Sequence, residues 1–517
     1  MFMQQRRLGA ESSTLVEGAI EGLPATLIEG GAERGSNLFH SFLEFNVGDG
    51  QRVYFSNPLG IESILSRVTG ANPSNIFGTL GVAGAADLFL VNPNGIVFGE
   101  NATLDIPGSF YGTTADAIPL GDEGLFSATD PEQSTLLTVR PEVSFFNYLT
   151  AASGDIESRG ALVAGENLTL AANRLDLQGQ VAAGADLSLL GLDTVQIRDT
   201  TDVPFVGFAG GDLLVQGNEQ VDIVALSHPD SGLYSYGDMV LRSANPVGGD
   251  AHYWSAGNFH VETLDGEVGD LFSPVDPIIR TFGDVAIEGY VGSSIHILAG
   301  GSINIETAVI TDADSGEIGV DFLQETIELS NGTVVEVNGE TQATLDVRAG
   351  VLPQAIGLIP IGNISGLNPA MEAFFNDQFL PVDPNFSGLP TSADITTGDI
   401  ILDAPNGMIL LTNQYEPNLE LEGDISITGE GIFNRGIDAR GFAEFEGKGG
   451  SVFIDARNNL SVIDSFIDTS GVGDVGDIVI NAGSSFRLER QDRRTVLDTE
   501  LVFGASGNSG DIRIRAK

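Results

Sequence analysis

The sequence predicts an all-β chain: a right-handed parallel β-helix solenoid with an amino-terminal cap and a loop-rich insertion. Three observations lead there. A short signature recurs along the chain, in which a glycine is followed by Asp, Asn or Ser and then by a run of alternating apolar residues. Its copies start at Gly154, Gly165, Gly184, Gly211, Gly237, Gly257, Gly283 and Gly301, and again at Gly398, Gly423, Gly450, Gly476 and Gly510. The first eight lie 11, 19, 27, 26, 20, 26 and 18 residues apart, and a repeat of this length built on one short unit means a solenoid. Composition agrees. Glycine is 67 of 517 residues, hydrophobic residues are 42 %, and a chain this long exceeds one compact core of ordinary size.

The kind of solenoid follows from the alternation. Ile425 and Ile427, or Val452 and Ile454, recur with period two, the mark of a half-buried strand and not of a helix. The LxxLxLxxN pattern of leucine-rich repeats is absent. A coil of roughly 20–27 residues with two or three such strands is expected. Its inward side chains stack on the next coil and its Gly-Asp pairs stand at the corners. There glycine is expected to supply positive φ, and Asp or Asn to bond its own backbone. Stacked at ~4.8 Å per coil, thirteen copies give on the order of 60 Å or more.

In chain order, residues 1–150 hold less regular strands and read as the start of the β-helix with its cap. Residues 151–305 are regular repeats. Residues 306–397 break the rhythm with Pro353, Pro360, Pro369, Pro381, Pro384 and Pro390, and Met371–Asp377 suggests a short helix. This stretch is expected to be an irregular insertion or a subdomain outside the coil stack, where loops on a rigid scaffold carry binding function. Residues 398–517 return to repeats and stop on a strand signature without a cap, so the natural chain is expected to continue. Met1–Ala10 carries two arginines with no apolar run behind them, so it is not a signal peptide.

The most specific motif is Leu88–Gly99, LFLVNPNGIVFG. Two apolar runs flank Asn92-Pro93-Asn94-Gly95. Pro93 presets φ for the first central position of a type I turn, Asn94 suits the second, and Gly95 frees the exit. Upstream stand PSNIFGTLGVAG at 73–84 and FxxFNV at Phe42–Val47. Together these three motifs resemble the amino-terminal secretion domain of two-partner-secretion exoproteins, the filamentous haemagglutinin family. The resemblance implies a β-helix for residues 1–150, a haemagglutination activity domain by the family's usage. It implies that Asn92, Pro93, Asn94, Gly95 and Ile96 form the family's NPNGI element, tied to recognition by an outer-membrane TpsB transporter of the Omp85 type through its POTRA domains. The structural alternative is that the Asn side chains lock a turn in the first coils, and the two readings are compatible. The family's NPNL element is absent; Asn57-Pro58-Leu59-Gly60 lies in its region without matching it. Residues 231–305 resemble a segment recurrent in cyanobacterial haemagglutinin-like exoproteins. The class is secreted or held at the cell surface of a Gram-negative-type bacterium, exported through Sec and the outer membrane, so a leader upstream of Met1 is expected. The β-helix would then serve as an adhesin or fibrous scaffold toward a surface receptor or carbohydrate.

Charge and chemistry narrow the alternatives. A net charge of −49 and a pI near 4.1 repel nucleic acid and anionic membranes. Cysteine is absent, which excludes disulfides and thiolate metal sites. No apolar run reaches 18 residues, so no membrane insertion is expected. A β-helix also suits a polysaccharide-active enzyme, but the sequence offers two lysines, Lys448 and Lys517, and five histidines with no catalytic motif around them. Catalytic residues, metals and cofactors are therefore expected to be none. Asp312–Glu317 departs from a Ca²⁺ loop in ligand spacing, and Gly471–Ile478 matches one repeat of a Ca²⁺-binding nonapeptide that works only in tandem. His260 and His296 fall inside strand signatures. Tyr253 and Trp254 could stack on a sugar ring or fill a corner. The remaining alternatives to an adhesin or scaffold are the enzyme and the stalk of a contact-dependent toxin.

Overall fold

The structure, a computed structural model, describes residues 3–4, 12–121, 123–314, 323–357, 364–378, 390–429, 433, 435–441, 449–490, 495–500 and 507–516. Most of the amino-terminal Met1–Ala10 stretch, Pro360, Pro381, Pro384, both lysines and part of Asp312–Glu317 lie outside them. By internal packing the chain divides into two units. One comprises Met1–Ile223, Arg242–Ala244 and Ile361–Leu380; the other comprises Val224–Leu241, Asn245–Pro360 and Pro381–Lys517.

Unit 1 is a three-walled parallel coil. Its first sheet runs through Asn37–Glu44, Ser63–Val68, Asp87–Val91, Phe110–Thr113 and the leading half of Leu168–Leu177. The second holds Ser74–Ile76, Ile96–Phe98 and Ile156–Ser158. The third holds Arg52–Ser56, Thr79–Ala83, Thr103–Asp105, Ala161–Ala164, Gln180–Ala183 and Val206–Ala209. All these ladders are parallel and in register. One inward column reads Leu38, Ile64, Leu88, Phe110, Leu168, Leu187 and Leu213, each 0 or 1 % exposed. Each such side chain contributes roughly 1.5–3 kcal/mol of burial, and the column is what the alternating signature encodes.

The stack is closed at its start by an antiparallel hairpin, Ser13–Ile20 with Leu23–Gly30. Its two-residue turn, Glu21-Gly22, has φ of 53° and 79°, the double positive φ whose twist suits a tight hairpin. The inner strand then pairs in parallel with Arg52–Ser56. A second cover, residues 114–153, leaves the coil after Phe110–Thr113 and lies over the outer side of the first sheet. It buries Phe39, Leu65, Phe89, Val91 and Tyr111 beneath Ile118, Leu120 and Phe126. The first sheet is thus covered on both faces, and Ser63–Val68 is buried at every position in place of the alternation of a one-sided strand. Arg67, wholly buried, fixes the cover: its Nε donates to Ser41 Oγ at 3.0 Å and its Nη1 to Ser127 O at 2.6 Å and Ser134 Oγ at 2.9 Å. Asn37 adds donations to Leu137 O and Val139 O.

Unit 2 repeats the three-walled plan. Its third sheet passes through Ile278–Thr281, Ile295–Ala299, Thr344–Arg348, Met408–Thr412, Ser451–Ala456 and Ile478–Ala482. Thr344–Arg348, inside the stretch expected to be irregular, is one of these coil strands. The rest of that stretch includes the hairpin Gln324–Glu328 with Val334–Asn338. That hairpin packs Ile327, Val335 and Val337 over Leu410, Phe453 and Val479 on the outer side of the third sheet. The helix Pro369–Gln378, which includes Met371–Asp377, belongs to unit 1.

The signature residues act differently from the sequence expectation. None of the repeat glycines has φ in the left-handed region. They are glycine because the preceding coil is too close. A Cβ on Gly184 would stand 2.0 Å from Gly165 O, on Gly165 2.2 Å from Pro107 O, and on Gly510 2.1 Å from Gly476 O. Nor does the following Asp, Asn or Ser bond its own backbone. It accepts the N–H of the equivalent residue one coil later. In unit 1 the N–H groups of Ser109, Asn167, Asp186 and Asp212 donate in turn to the side chains of Asp87, Ser109, Asn167 and Asp186. In unit 2 a second ladder runs from Asp238 through Asn258, Asp284, Ser302, Asp394 and Asp424 to Asn459. Signatures are also not one per coil at one corner: those at Gly450, Gly476 and Gly510 open third-sheet strands.

These two roles differ in cost. Asp186→Ala removes one acceptor at a solvated corner and should cost about 0.5–1.5 kcal/mol. Gly184→Ala forces two coils apart and should cost about 1–3 kcal/mol or more. Urea unfolding of the two variants checks the order; equal losses would contradict it.

Candidate functional site

The NPNGI segment forms the corner between the first sheet (Asp87–Val91) and the second (Ile96–Phe98). Gly95 N–H donates to Asn92 O at 3.0 Å, closing the turn over Pro93 and Asn94. Asn94 N–H donates to Asn92 Oδ1 at 3.0 Å, the side-chain mimic of a turn for which Asn is favoured. Asn92 is wholly buried. Its Nδ2 reaches back one coil to Asn72 O at 3.1 Å and Ser74 Oγ at 3.0 Å. Asn94 is exposed, and its Nδ2 donates to Gly70 O at 2.8 Å. The corner is equally tied to the next coil. Gly154 N–H donates to Pro93 O at 2.7 Å and Ile96 N–H to Asp155 O at 3.0 Å. Gly95, with φ of 116°, turns its own carbonyl back to Ser74 N–H.

The three sequence motifs come together here. Val47, Ser74–Ile76 and Ile96–Phe98 stack in successive coils of the second wall. The FxxF pair fills the first coil: Phe42 and Phe45 lie 5.3 Å apart, and Phe45 stacks on Phe55 at 5.8 Å. Asn75 N–H donates to Asn46 Oδ1 at 2.9 Å. In the third wall Gly81 leaves room for the Tyr54 ring, since a Cβ would stand 2.4 Å from it. Tyr54 OH therefore spans to Asp105 Oδ2, donating at 2.6 Å, while Arg52 donates to the same hydroxyl at 2.7 Å. Burial and the Asp105 carboxylate push that phenol well above its usual range.

Beside the motifs, the outer cap strand Ser13–Ile20 pairs with no strand other than Leu23–Gly30 among the described residues, and most of it is exposed. It is held to the coil by Ser13 Oγ, 2.8 Å from His40 Nδ1. His40 lies buried against Phe42 and Phe55.

The sugar-stacking expectation needs correction. Period-two alternation turns Tyr253 inward, in line with Leu233 and Ile279. It is wholly buried, its ring tilted on Phe259 at 5.1 Å, so no face meets a sugar. Trp254 points outward but half-buried. Arg280 lies over its ring at 4.3 Å, with the Tyr234 ring parallel at 6.1 Å.

A buried ionic cluster in unit 2 matches no motif in the sequence. Asp346 accepts from Arg348 Nε at 2.8 Å and Nη2 at 2.7 Å, and His296 Nδ1 lies 3.0 Å from its other side. His296 Nε2 faces Asp276 Oδ2 at 3.4 Å. Arg348 Nη1 reaches Glu325 of the covering hairpin at 2.5 Å, and Asp455 accepts from Ser330 N–H and Oγ at the hairpin tip. Asp276, His296, Asp346 and Arg348 are wholly buried, so the cluster anchors a cover and offers nothing to a substrate. Residues brought together by coil register lie 50 positions apart in sequence, beyond any motif. Among the described residues no group of three or more His, Cys, Asp or Glu side chains is placed to hold a metal ion. No helix among them is long and apolar enough to cross a membrane.

These elements make a capped parallel β-helix whose three opening motifs meet on one hydrogen-bonded wall. Comparison with known proteins finds a secretion-domain match over its amino-terminal part. The family model for the TPS secretion domain matches residues 16–261. Over 80 residues the chain is 34 % identical to the heme/hemopexin-binding protein of Haemophilus influenzae, a match covering 16 % of this chain and 8 % of that protein's length. Among solved structures it is similar to the secretion domain of filamentous hemagglutinin (15 % identity, 60 % of this chain, 95 % of that one, TM-score 0.25). It is also similar to the HMW1 secretion domain from Haemophilus influenzae (13 % identity, 94 % and 98 % covered, TM-score 0.30). Residues 16–261 of the chain match a TPS secretion domain.

Two of the buried histidines, His40 and His296, set opposite pH limits. Burial lowers His40 to about 4. Its contribution is whole above the unfolded value near 6.5 and declines as pH falls from there toward 4, by up to about 3 kcal/mol. Asp276 and Asp346 outweigh burial at His296 and raise it to about 9. Its contribution is whole below about 6.5 and declines as pH rises through 9. Proteolysis of the cap should therefore accelerate between pH 6 and 4 (about the His40 titration range), and His40→Phe should abolish that acid dependence. An unchanged acid profile in the variant would refute the assignment.

Proposed function

We propose that residues 16–261 address this exoprotein to a TpsB transporter of the Omp85 type, which engages the domain through its periplasmic POTRA domains. The β-helix that follows is passenger, serving at the cell surface or after release as an adhesin or fibrous scaffold. The observation that carries this reading is the convergence of FxxFNV, PSNIFGTLGVAG and NPNGI on one wall, with Pro93 and Asn94 facing outward at its corner. The neighbouring cap strand Ser13–Ile20 has a free edge, the kind of template to which a partner adds a strand. The mechanism is non-enzymatic. The chain passes outward unfolded after Sec export, and coils then add one by one onto the amino-terminal cap. Each new coil buries its apolar column and gains its corner hydrogen bond, which biases the motion outward. Zero cysteine leaves no cross-link to obstruct passage.

On this reading the two asparagines play different parts: the buried Asn92 holds the corner together, and the exposed Asn94 presents it. Asn92→Ala removes four side-chain hydrogen bonds at a buried site and should lower stability by about 2–4 kcal/mol along with export. Asn94→Ala should leave unfolding within about 1 kcal/mol of the parent yet reduce export by the partner transporter several-fold. Export of the full chain, quantified beside urea unfolding of the purified protein, tests this. Undiminished export of Asn94→Ala would remove the outward corner from the recognition surface.

A further inference from the structure

One segment of unit 1 comes from far down the chain. Residues 364–378 form a strap across the outer side of the third sheet, ending in the helix Pro369–Gln378. The strap is built to fit. Gln180 spends its whole amide on it: Nε2 donates to Gly366 O at 3.0 Å, and Oε1 accepts from Asn368 N–H at 2.8 Å. Asn368 Oδ1 then accepts from Ala370 N–H at 3.0 Å at the start of the helix. Phe375 and Phe374 set their rings edge-on to Phe208 at 5.1 and 6.1 Å. Gly366, with φ of 73°, lets the strap pass Pro204 where a Cβ would stand 2.8 Å away. On either side the strap borders an open cavity, of about 410 and 420 Å³, so it is a crossing bar and not a full lid.

Among the described residues it is the strap that meets the outer face of this strip. Gln180–Ala183 and Val206–Ala209 are buried at every position, although only their inward residues face the coil. Gln180 and Phe208, both on the outer face, meet the strap directly. During amino-terminus-first export, residues 180–209 emerge more than 150 positions before the residues that cover them.

We propose that the strap is a late clasp, so that the secretion domain closes only when residue 378 has joined it. Until then the third sheet carries an unsatisfied amide and an exposed phenylalanine, and the domain stays locally open. Closure of this stretch of wall, while the rest of the domain is already folded, is thereby made conditional on delivery of the strap. The timing part rests on the export reading above; the clasp itself does not.

Two measurements test it on the full chain. In the purified protein, Phe375→Ser and Gln180→Ala should each raise hydrogen exchange in Gln180–Ala183 and Val206–Ala209 by about tenfold or more. Ser63–Val68 and Ile96–Phe98 should keep their protection. The serine variant alters only the strap, so it reads the clasp even if Gln180→Ala unfolds locally. In pulse-chase export with protease outside the cell, protection of residues 180–209 should appear only once residues 364–378 have emerged, and should be lost in both variants. Unchanged exchange in Phe375→Ser overturns the clasp. Protection of 180–209 before the strap emerges overturns its timing. A chain that is not exported by a partner transporter fails the function reading while leaving the exchange result standing.

Discussion

Coil-to-coil distance governs this structure. Parallel strands stack at ~4.8 Å, and every corner must repeat at that spacing. Two consequences follow at the signature residues. The corner has no space for a Cβ, and the backbone N–H exposed there needs an acceptor supplied by the coil before it. Glycine answers the first, and a short Asp, Asn or Ser answers the second, as Gly165 with Asn167 and Gly184 with Asp186 demonstrate. A corner carboxylate stacked on another costs roughly 1 kcal/mol at this distance in water. The unit 2 ladder alternates charged and neutral acceptors from Asp238 through Asn258, Asp284 and Ser302 to Asp394, and then stacks Asp424 on Asp394 before Asn459. These ladder carboxylates sit where they accept a hydrogen bond, which is a more specific role than solubility.

This is also why so much of the fold was legible. A constraint that acts at every coil writes the same residues again and again, and period two along each strand gives the wall its inward face. What stayed hidden has physical causes. Thr344–Arg348 is preceded by Thr341-Gln342-Ala343 and lacks the glycine signature, so it did not register as a coil strand inside a proline-rich stretch. The glycine mechanism was misjudged because close approach and positive φ both select glycine, and only the neighbouring coil separates them. Tyr253 and Trp254 looked equivalent in sequence. Alternation makes one a core residue and the other an outer-wall residue capped by Arg280. The NPNGI turn was readable from Pro93 and Gly95 alone, but the burial of Asn92 was not. It depends on Asn72 and Ser74 standing directly beneath, one coil earlier.

The covers over the outer walls follow a common pattern that no motif announces. Each lays apolar side chains over a sheet and meets a wall residue whose polar groups it helps to complete. Arg67 binds the 114–153 cover, Arg348 and Asp455 bind the 324–338 hairpin, and Gln180 binds the strap. Apolar burial supplies most of the attraction, but it is indifferent to register. A buried guanidinium or amide is not, because misplacement by one residue leaves it unsatisfied at about 1–3 kcal/mol or more. The polar anchor therefore selects one seat among many on a repetitive surface where each coil resembles the next.

That selection has a cost in time. A wall residue such as Gln180 or Arg67 is placed by its own coil before its partner arrives, and an unpaired polar group on a half-covered sheet keeps that region open. Coils can add one after another with little penalty, since each satisfies the corner below it at once. Late covers cannot, because their partners follow 60 residues later for Arg67 and Ser127 and 186 later for Gln180 and Gly366. Closing a longer loop costs only slowly more entropy, so the distant strap is thermodynamically affordable while kinetically last. In a chain that emerges from one end, sequence separation becomes an order of events. The local corner ladder drives assembly forward, and the distant anchors decide when each stretch of wall is finished.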